Sequence, residues 1–469
     1  MGLSLSTLDT VPRESRPPAL PGDLTPGIVH IGLGAFHRAH QAVYTQAAGG
    51  WGIVGVAPRS RDVLDRLRAQ DGLYSVVTVD GDGSRADVIG VHCGLLHGGS
   101  DPDAVVAAIA DPRTRVVTLT VTEKGYRLDA AGNLTVDEGL RAELTGAAPP
   151  LSTPGALVRG LLAREAAGAG PLAVLCSDNM RGNGARLRGM VTQALGVAGR
   201  GVPAGISFPS AMVDRIVPAT TSRTLDLAHT ALGVPDAAPV TAEPFMQWVI
   251  EDDFPGGRPR WERAGAILTD DVAPWESMKL RVLLGVHSGL AYLGALAGVE
   301  TIDRALSLPG MVDLMERLIR DDIAPTVTPP PGVTVVGYGA QALHRFANPA
   351  LGHRTLQVAM DGTQKLPYRL VETIVDGRRA GLPMELAALV LAAWMRFTRG
   401  TADDGSPLPL NDPLADRLRG GSTVDELLAI EEVFPPVLRE DREYVARVEH
   451  WLGALESGGA ADTVKAGHG

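Results

Sequence analysis

Ile28-Val29-His30-Ile31-Gly32-Leu33-Gly34-Ala35-Phe36 is an apolar run that passes into a turn with two glycines. The run predicts a buried strand, and Gly32 permits the tight turn that follows it. His37 occupies the position of the third glycine of the usual fingerprint, so an ordinary strand–helix turn is an alternative interpretation. Because backbone at such a turn approaches a pyrophosphate at a helix start, the candidate dinucleotide-binding residues are Gly32, Gly34, Ala35 and Phe36.

The residues that follow repeat this order of short apolar runs and helical segments. The runs at 28–31, 52–56, 116–121 and 172–176 predict buried strands. Between them, helices are predicted at 39–48, 61–70, 102–109 and 157–167. Alternation of strand and helix is typical of a parallel sheet that is covered on both faces. The sequence therefore predicts an α/β, Rossmann-type dinucleotide-binding domain over residues 27–274.

Beyond Trp275 the pattern changes to long apolar helical segments, which cover 274–297, 311–319, 366–375 and 382–399. A proline-rich turn at 325–331 separates the second segment from the third. A chain of 469 residues is too long for one ordinary hydrophobic core, so we expect two domains. The helical pattern predicts that the second is a mainly α-helical C-terminal domain over residues 275–452. Residues 1–26 and 453–469 are expected to be flexible termini.

The composition is that of a globular protein and narrows the classes of partner. Apolar residues make up 45% of the chain, and a net charge of -11 argues against nucleic acid or an anionic membrane as partner. No stretch resembles a signal peptide or a spanning helix, so a cytoplasmic protein with no membrane partner is expected. Two cysteines are too few for a disulfide framework or a zinc site. We expect a small-molecule ligand and a monomer or small homo-oligomer.

The end of the second predicted strand bears on the choice of dinucleotide. NAD enzymes often place Asp or Glu there for the ribose hydroxyls. In this chain Arg59 and Arg61 come first and the first acid is Asp62. The arginines favour tolerance of a 2′-phosphate, and solvated loop charges are the alternative interpretation. Arg59 is therefore a candidate cofactor-binding residue, while the choice between NAD and NADP stays open.

A lysine stands inside the apolar segment that begins at Trp275. Lysine is scarce, with four among 43 basic residues, and unlike arginine it loses its proton when desolvated, which suits proton transfer. On a continuous α-helix Lys279 and His287 lie about 80° apart on one face. Glu276 lies one turn before Lys279. An ordinary Lys279–Glu276 ion pair beside a core histidine is the alternative interpretation.

Seven motifs occur in order within a resemblance that covers roughly residues 27–450: GLGAFHRAH (32–40), DGLY (71–74), TVTEKGY (120–126), SDNMRGNG (177–184), FPSAMVDRI (208–216), EPFMQWVI (243–250) and WESMKLRVLLGVHS (275–288). Together they resemble the polyol-specific long-chain dehydrogenases, the family of mannitol 2-dehydrogenase and fructuronate reductase. The resemblance implies NAD as cofactor, with NADP as the alternative, and places Thr122 and Asp214 in the cofactor site. A β-hydroxyacid dehydrogenase also joins a Rossmann domain to a helical domain with a lysine, but the motifs over 120–250 argue against it.

The resemblance also implies roles for individual residues. Lys279 is the general acid/base, and Asn179 donates its amide N–H to the developing alkoxide. His287 orients the substrate oxygen, and Glu276 passes protons between Lys279 and solvent. The family usually has a second asparagine five residues after the lysine, where this chain has Leu284.

Three further motifs, RFANP (345–349), HRT (353–355) and DGTQKLP (361–367), are similar to the fructuronate reductase branch. Arg345, Arg354 and Lys365 are therefore candidates to bind a substrate carboxylate or polyhydroxyl chain, with surface or interdomain ion pairs as the alternative. The expected activity is a metal-independent interconversion of a secondary alcohol and a ketone on a linear sugar alcohol or sugar acid. No His/Cys/Asp cluster has the spacing of metal ligands. Leu284 keeps open a second class, a cofactor-binding protein that has lost catalysis and acts as a sensor or interaction protein.

Overall fold

The structure is a computed structural model, and it describes residues 2–81, 83–129, 131–421 and 423–467. The chain divides into an N-terminal unit, Met1–Val272, and a C-terminal unit, Ala273–Gly469. The division falls two residues before the predicted boundary at 274/275.

The N-terminal unit is built on a parallel sheet of six strands in the order β5-β2-β1-β6-β7-β8. Their bounds are β1 Thr25–Ile31, β2 Trp51–Ala57, β5 His92–His97, β6 Val116–Leu119, β7 Leu172–Cys176 and β8 Ile206–Ser207. Val29 and Ile31 pack into one buried cluster and Ile28 into another, so both faces of the sheet are covered. The predicted α/β, Rossmann-type class is therefore confirmed.

Eight α-helices belong to the described part of this unit, and four of them match the predicted segments with shifted ends. They are α1 Ala35–Ala39, α2 Gln41–Ala48, α3 Asp62–Arg68, α4 Pro102–Ala110, α5 Glu138–Thr145, α6 Thr153–Ala166, α7 Asn183–Val197 and α8 Ser222–Leu232. The predicted helix 39–48 is interrupted at His40, whose φ of -126° and ψ of -86° are not helical. The predicted strand 116–121 ends two residues early, because Thr120 and Val121 already belong to the loop that follows β6.

Two small sheets complete the unit, and the sequence did not predict them. One has the order β10-β3-β4 and the other β12-β11-β9. Their strands are β3 Tyr74–Val79, β4 Ser84–Ile89, β9 Ala211–Asp214, β10 Val240–Ala242, β11 Gln247–Glu251 and β12 Ile267–Thr269.

The first residues of the chain differ from the flexible segment that the sequence predicts. Leu3, Leu8 and Val11 are buried, and short 3₁₀ turns at Leu8–Thr10, Arg13–Ser15 and Pro21–Asp23 shape this segment, because its apolar side chains find a core to join.

The C-terminal unit is helical, as predicted, but three of the four predicted long helices are interrupted, whereas the segment 382–399 forms the single helix Glu385–Phe397. Its α-helices are α9 Ala273–Met278, α10 Leu284–Leu296, α11 Ile302–Leu306, α12 Met311–Arg317, α13 Val335–Phe346, α14 Thr355–Ala359, α15 Gly362–Leu366, α16 Glu372–Arg379, α17 Glu385–Phe397, α18 Ala415–Gly420, α19 Val424–Leu428, α20 Pro436–Glu440 and α21 Arg442–Ala466. Three π-helical segments lie between consecutive helices at Lys279–Leu283, Leu318–Ile323 and Pro367–Val371. The first of them contacts both of the others.

The expected frayed tail is also corrected, because α21 continues to Ala466 with a break at Gly459. Leu455, Ala460 and Val464 are buried, so this end of the chain is fixed by packing. Residues 468–469 of the predicted tail, and Met1 of the lead-in, lie outside the described residues. Among the helices that the structure describes, none is long and apolar enough to cross a membrane.

Candidate functional site

The turn after β1 has the geometry of a dinucleotide-binding turn. Gly32 has a φ of +116°, and a Cβ there would stand 2.0 Å from the carbonyl oxygen of Thr120. Only glycine fits this position. Gly34 is exposed, and α1 begins immediately after it with Ala35 and Phe36. A pyrophosphate can therefore reach the backbone at the helix start, and these residues fit the cofactor that they were predicted to bind.

The sheet order places three predicted site residues at one edge. β1 lies between β2 and β6, and β7 follows β6, so the carboxyl ends of these parallel strands adjoin. Gly32 follows β1, Thr122 follows β6, and Asn179 follows β7. Thr122 and Asn179 are both exposed. Ligands of open α/β sheets bind at this edge where the strand order reverses, here between β1 and β6.

Asp178, which the sequence analysis did not select, holds the loops after β6 and β7 together. Its carboxylate accepts hydrogen bonds from the Val121 and Thr122 backbone N–H groups at 2.9 and 3.2 Å. It also accepts one from the Tyr126 hydroxyl at 2.6 Å. Burial raises the pKa of Asp178, and these donors oppose that shift. Asp178 therefore fixes the neighbours of Asn179 and Thr122 at the sheet edge.

The two other predicted cofactor residues of this unit lie in different surroundings. Asp214 is the last residue of β9 and is 5% exposed. Arg59 is exposed, two residues after β2 ends, and its backbone oxygen lies 3.0 Å from His97 Nε2.

A buried histidine group lies behind the glycine turn, and the sequence analysis missed it. The rings of His30 and His37 stack with centroids 3.4 Å apart, and His37 Nε2 lies 3.0 Å from His92 Nε2. His30 Nε2 also lies 2.9 Å from the Gly32 carbonyl oxygen. Burial lowers the pKa of His30 and of His92 to about 3, and that of His37 well below its usual range. The three rings are therefore neutral, and His37 fills the place of the third glycine with a packed side chain.

In the C-terminal unit, Lys279 is the first residue of a π-helical segment and is 7% exposed. The sequence predicts one continuous α-helix here, and the separation of about 80° between Lys279 and His287 assumed it. A π-helical turn holds more residues than an α-helical turn, so that angle is wrong. Single π turns inside helices occur frequently at functional sites. Glu276 lies in the last turn before this segment and is half-buried.

His287 lies on buried α10 and faces an aromatic and basic environment. Its ring stacks on Phe346 with centroids 4.6 Å apart and lies 4.8 Å from the His353 ring. Burial lowers the pKa of His287 well below its usual range, and His353, Arg369, Lys365 and Arg345 lower it further. The ring is therefore neutral. Its Nε2 is buried and has no hydrogen-bond partner among the described residues, so it is available to a ligand.

Two of the three predicted substrate residues lie near His287. Arg345 is 6% exposed, and half-buried Lys365 donates from Nζ to the Met360 and Val358 carbonyl oxygens at 2.5 and 3.3 Å. Burial, and then Arg369, lower the pKa of Lys365 to about 8. The third residue differs: the Arg354 side chain is 64% exposed and lies 4.0 Å from Glu300.

Arg369 is a basic residue that the sequence analysis did not select. It lies four residues after Lys365 in the π-helical segment Pro367–Val371, and its Nη1 donates to Ser288 Oγ at 3.2 Å. Burial lowers the pKa of Arg369 to about 10. It forms no ion pair with a carboxylate in the part of the chain that the structure describes. Arg369, Lys365 and Arg345 each lower the pKa of neutral His287, and we name these three basic residues the basic cluster.

Leu284, the residue in place of the family's asparagine, is the first residue of α10 and is half-buried between buried neighbours. Its side chain is therefore neither sealed in the core nor freely exposed. No group of three or more His, Cys, Asp and Glu side chains in the described residues is placed to hold a metal ion.

The parallel sheet with its glycine turn, followed by a helical unit with a buried lysine, defines a dinucleotide-dependent oxidoreductase. Family models agree: the mannitol dehydrogenase Rossmann domain matches residues 26–263 and the mannitol dehydrogenase C-terminal domain matches residues 271–456. The chain belongs to the mannitol dehydrogenase family and is an NAD-dependent enzyme.

Individual relatives cover nearly the whole chain. The D-mannonate oxidoreductase of Escherichia coli K12 is 38% identical over 94% of this chain and 95% of its own. The mannitol 2-dehydrogenase of Cereibacter sphaeroides is 38% identical over 92% and 95%. The structure of Pseudomonas fluorescens mannitol 2-dehydrogenase, a ternary complex with NAD and D-mannitol, matches with a TM-score of 0.85, 34% identity and 99% coverage of both chains. The predicted family is therefore confirmed.

Proposed function

We propose that this enzyme interconverts a secondary alcohol and a ketone on a linear sugar acid or sugar alcohol, with Lys279 as general acid/base and no metal ion. The observation that carries the proposal is the burial of Lys279, the first residue of the π-helical segment that leads into the largely apolar helix α10. A buried lysine favours its neutral form, which is the form that accepts a proton. The relatives named mannitol 2-dehydrogenase and D-mannonate oxidoreductase support both substrate types.

In the oxidation, neutral Lys279 takes the proton of the substrate hydroxyl while a hydride leaves the same carbon. Bound NAD supplies the hydride acceptor. Asn179 donates its amide N–H to the oxygen as negative charge develops, and neutral His287 hydrogen-bonds the same substrate through its unpartnered Nε2. Glu276, one turn before Lys279, passes the proton on to solvent. In the reduction the lysine ammonium returns the proton.

The basic cluster favours a sugar acid over an uncharged sugar alcohol. Asp361 and Asp412 raise the pKa of Lys365, but the burial of Lys365 and the charge of Arg369 outweigh them. Arg369 has no carboxylate partner among the described residues, so a substrate carboxylate would supply the missing negative charge. Arginine binds a carboxylate through two parallel hydrogen bonds, which an alditol hydroxyl cannot replace. We therefore place a six-carbon aldonate first and the corresponding alditol second.

Steady-state kinetics with a panel of six-carbon aldonates and their matched alditols tests the proposal. We expect kcat/KM to be at least about tenfold higher for the best aldonate, which corresponds to one charge-assisted hydrogen bond of about 1.5 kcal/mol. Arg369→Gln should remove this preference, mainly by raising KM for the aldonate. Exposed Arg320, which pairs with Asp321, provides the control variant Arg320→Gln with the same change of charge. If the enzyme turned over neither the aldonates nor the alditols, the proposal would be contradicted.

Leu284 favours the second candidate function, a cofactor-binding protein without catalysis. The family's second asparagine is absent, and one oxyanion donor typically contributes about 3 kcal/mol to the transition state. The same panel separates the candidates, since a protein of this kind would bind NADH and turn over no member of the panel.

A further inference from the structure

The loop after β2 lacks the acid by which a Rossmann domain selects NAD. β2 ends at Ala57 beside β1, where the adenosine ribose lies in domains of this type. The chain continues with Pro58, Arg59, Ser60 and Arg61 before the first acid, Asp62. An acid at this position would hydrogen-bond the 2′-hydroxyl and repel a 2′-phosphate. The loop offers two guanidinium groups and a hydroxyl instead.

The two nearest carboxylates are held by arginines of the same segment. Asp62 accepts two hydrogen bonds from Arg66 Nη2, at 2.9 and 2.8 Å, and Asp65 lies 3.9 Å from Arg61 Nε. Both pairs join residues four apart, at the helix α3 that follows the loop. The negative charge of Asp62 is therefore balanced within the protein, and it opposes a bound anion only weakly.

The loop after β5 holds this arginine loop in place. The Ser100 backbone N–H donates to His97 Nδ1 at 2.9 Å, so Nδ1 is the acceptor and the ring proton lies on Nε2. His97 Nε2 then donates to the Arg59 carbonyl oxygen at 3.0 Å. The Gly98 N–H donates to the Ala57 carbonyl oxygen at 2.9 Å. Hydrogen bonds from a neighbouring strand end thus fix the backbone from Ala57 to Arg59.

The side chains of this fixed loop remain accessible. Arg59 is exposed, and its guanidinium forms no hydrogen bond or ion pair with the residues that the structure describes. The Arg61 side chain is 54% exposed, and its Nη1 donates to Ser100 Oγ at 2.9 Å. An unpaired guanidinium on an immobilised backbone, two residues before a second exposed arginine, suits a phosphate dianion.

We propose that Arg59 and Arg61, with the Ser60 hydroxyl, bind the 2′-phosphate of a phosphorylated nicotinamide dinucleotide, so that the enzyme accepts NADP(H) as well as NAD(H). The guanidinium groups supply the positive charge and donate N–H hydrogen bonds to the phosphate oxygens. Arg61 exchanges its long contact with Asp65 for the phosphate. This assignment concerns the adenosine end of the cofactor and is independent of the sugar substrate.

Equilibrium titration of the enzyme's binding of NADPH and NADH, followed by nicotinamide fluorescence, tests the assignment without turnover. We expect NADPH to bind at least as tightly as NADH. The double variant Arg59→Gln/Arg61→Gln should raise Kd for NADPH by about 10- to 100-fold, as expected for one or two charge-assisted hydrogen bonds, and change Kd for NADH less than about threefold.

Arg85→Gln removes an exposed arginine of the same unit that pairs with Asp87, and it should leave both Kd values unchanged. Arg61→Glu introduces the carboxylate that NAD-selective domains have near the ribose. It should raise Kd for NADPH further than the double variant does and leave Kd for NADH unchanged. A wild-type enzyme that binds NADPH more than about 100-fold more weakly than NADH would overturn the proposal. An unchanged ratio of the two Kd values in the double variant would do the same.

Discussion

Gly285 and Arg369 are in backbone contact, because a Cβ at Gly285 would stand 2.7 Å from the Arg369 carbonyl oxygen. Gly285 is the second residue of α10, directly after the π-helical segment that begins with Lys279. Arg369 lies in the π-helical segment Pro367–Val371. The start of α10, which directly follows the segment of the proposed general base, therefore packs against the segment that carries Arg369 without an intervening side chain.

Gly285→Ala should destabilise the protein by about 1–3 kcal/mol, because the added methyl group forces the two segments apart. Thermal unfolding and urea titration measure this loss. Gly453→Ala is the matched control, since Gly453 lies in α21 of the same unit with no atom within 4 Å of its added Cβ. This control should gain up to about 1 kcal/mol from helix propensity. Equal effects of the two substitutions would refute the close contact.

Lys279→Ala should lower kcat by about 10²–10⁴-fold, the usual contribution of a general acid/base, while NADH binding and folding persist. Added primary amines should restore part of the activity. Exposed Lys465 in α21 provides the control Lys465→Ala, which should leave kcat unchanged. Near wild-type turnover in Lys279→Ala would rule out the proposed base.

Leu284→Asn should raise turnover of the alditols, because it supplies the amide donor that the family usually has at this position. Half-buried Leu284 leaves the new amide access to solvent, so the stability loss should stay below the roughly 1–3 kcal/mol of a sealed, unpaired amide. Turnover and Tm of the variant measure both effects. A destabilised variant with no gain on any substrate would make Leu284 a core residue.

Asn179→Ala should be unusually damaging in this chain, because no second asparagine follows the lysine. Loss of one oxyanion donor typically lowers kcat by about 10²–10³-fold. In Leu284→Asn the same substitution should cost less, since the new amide replaces part of the lost donor. A four-variant cycle of kcat values measures this coupling, and strictly independent effects would argue against a shared oxygen.

The buried histidines behind the glycine turn should make the enzyme acid-sensitive. The folded-state pKa values of His30 and His92 are lowered to about 3, against about 6.5 when unfolded. Below pH 6.5 the unfolded chain therefore binds protons that the folded chain excludes. The free energy of unfolding is therefore unaffected by these histidines above pH 6.5. As the pH falls from about 6.5 towards 3, it decreases by about 1.4 kcal/mol per pH unit for each such histidine. Urea titrations from pH 7.5 to 5.0 should show a smaller slope for His92→Gln, and a pH-independent wild type would refute the arrangement.

The fold was predictable where local chemistry and tertiary structure agree. The apolar run ends at Gly32, and only glycine can approach the Thr120 carbonyl oxygen as closely as this turn requires. The turn could therefore be recognised from the sequence. The histidine group could not, because His92 reaches His37 only through the sheet order β5-β2-β1. Likewise the burial of Leu3 and Val464 depends on cores built by distant segments.

The sequence singled out candidate site residues, but it did not predict the geometry around them. Lys279 and His287 were selected because polar groups are rare in their apolar segment, and both are buried. The π-helical segment that begins at Lys279 was not predicted by any local pattern, and it contacts two other π-helical segments that are distant in sequence. Arg369 was missed for the opposite reason: an arginine in a polar stretch looks like a surface residue until its surroundings are known.

The π-helical segment also means that the direction of Lys279 depends on the number of residues as well as on their identity. Removing one residue between Lys279 and Leu283 would let the segment close into a regular α-helix, and everything before the deletion would turn by about 100° relative to α10. Lineages descended from this enzyme can therefore diverge in substrate or lose activity by a single-codon deletion here, with every proposed catalytic residue still present in the sequence.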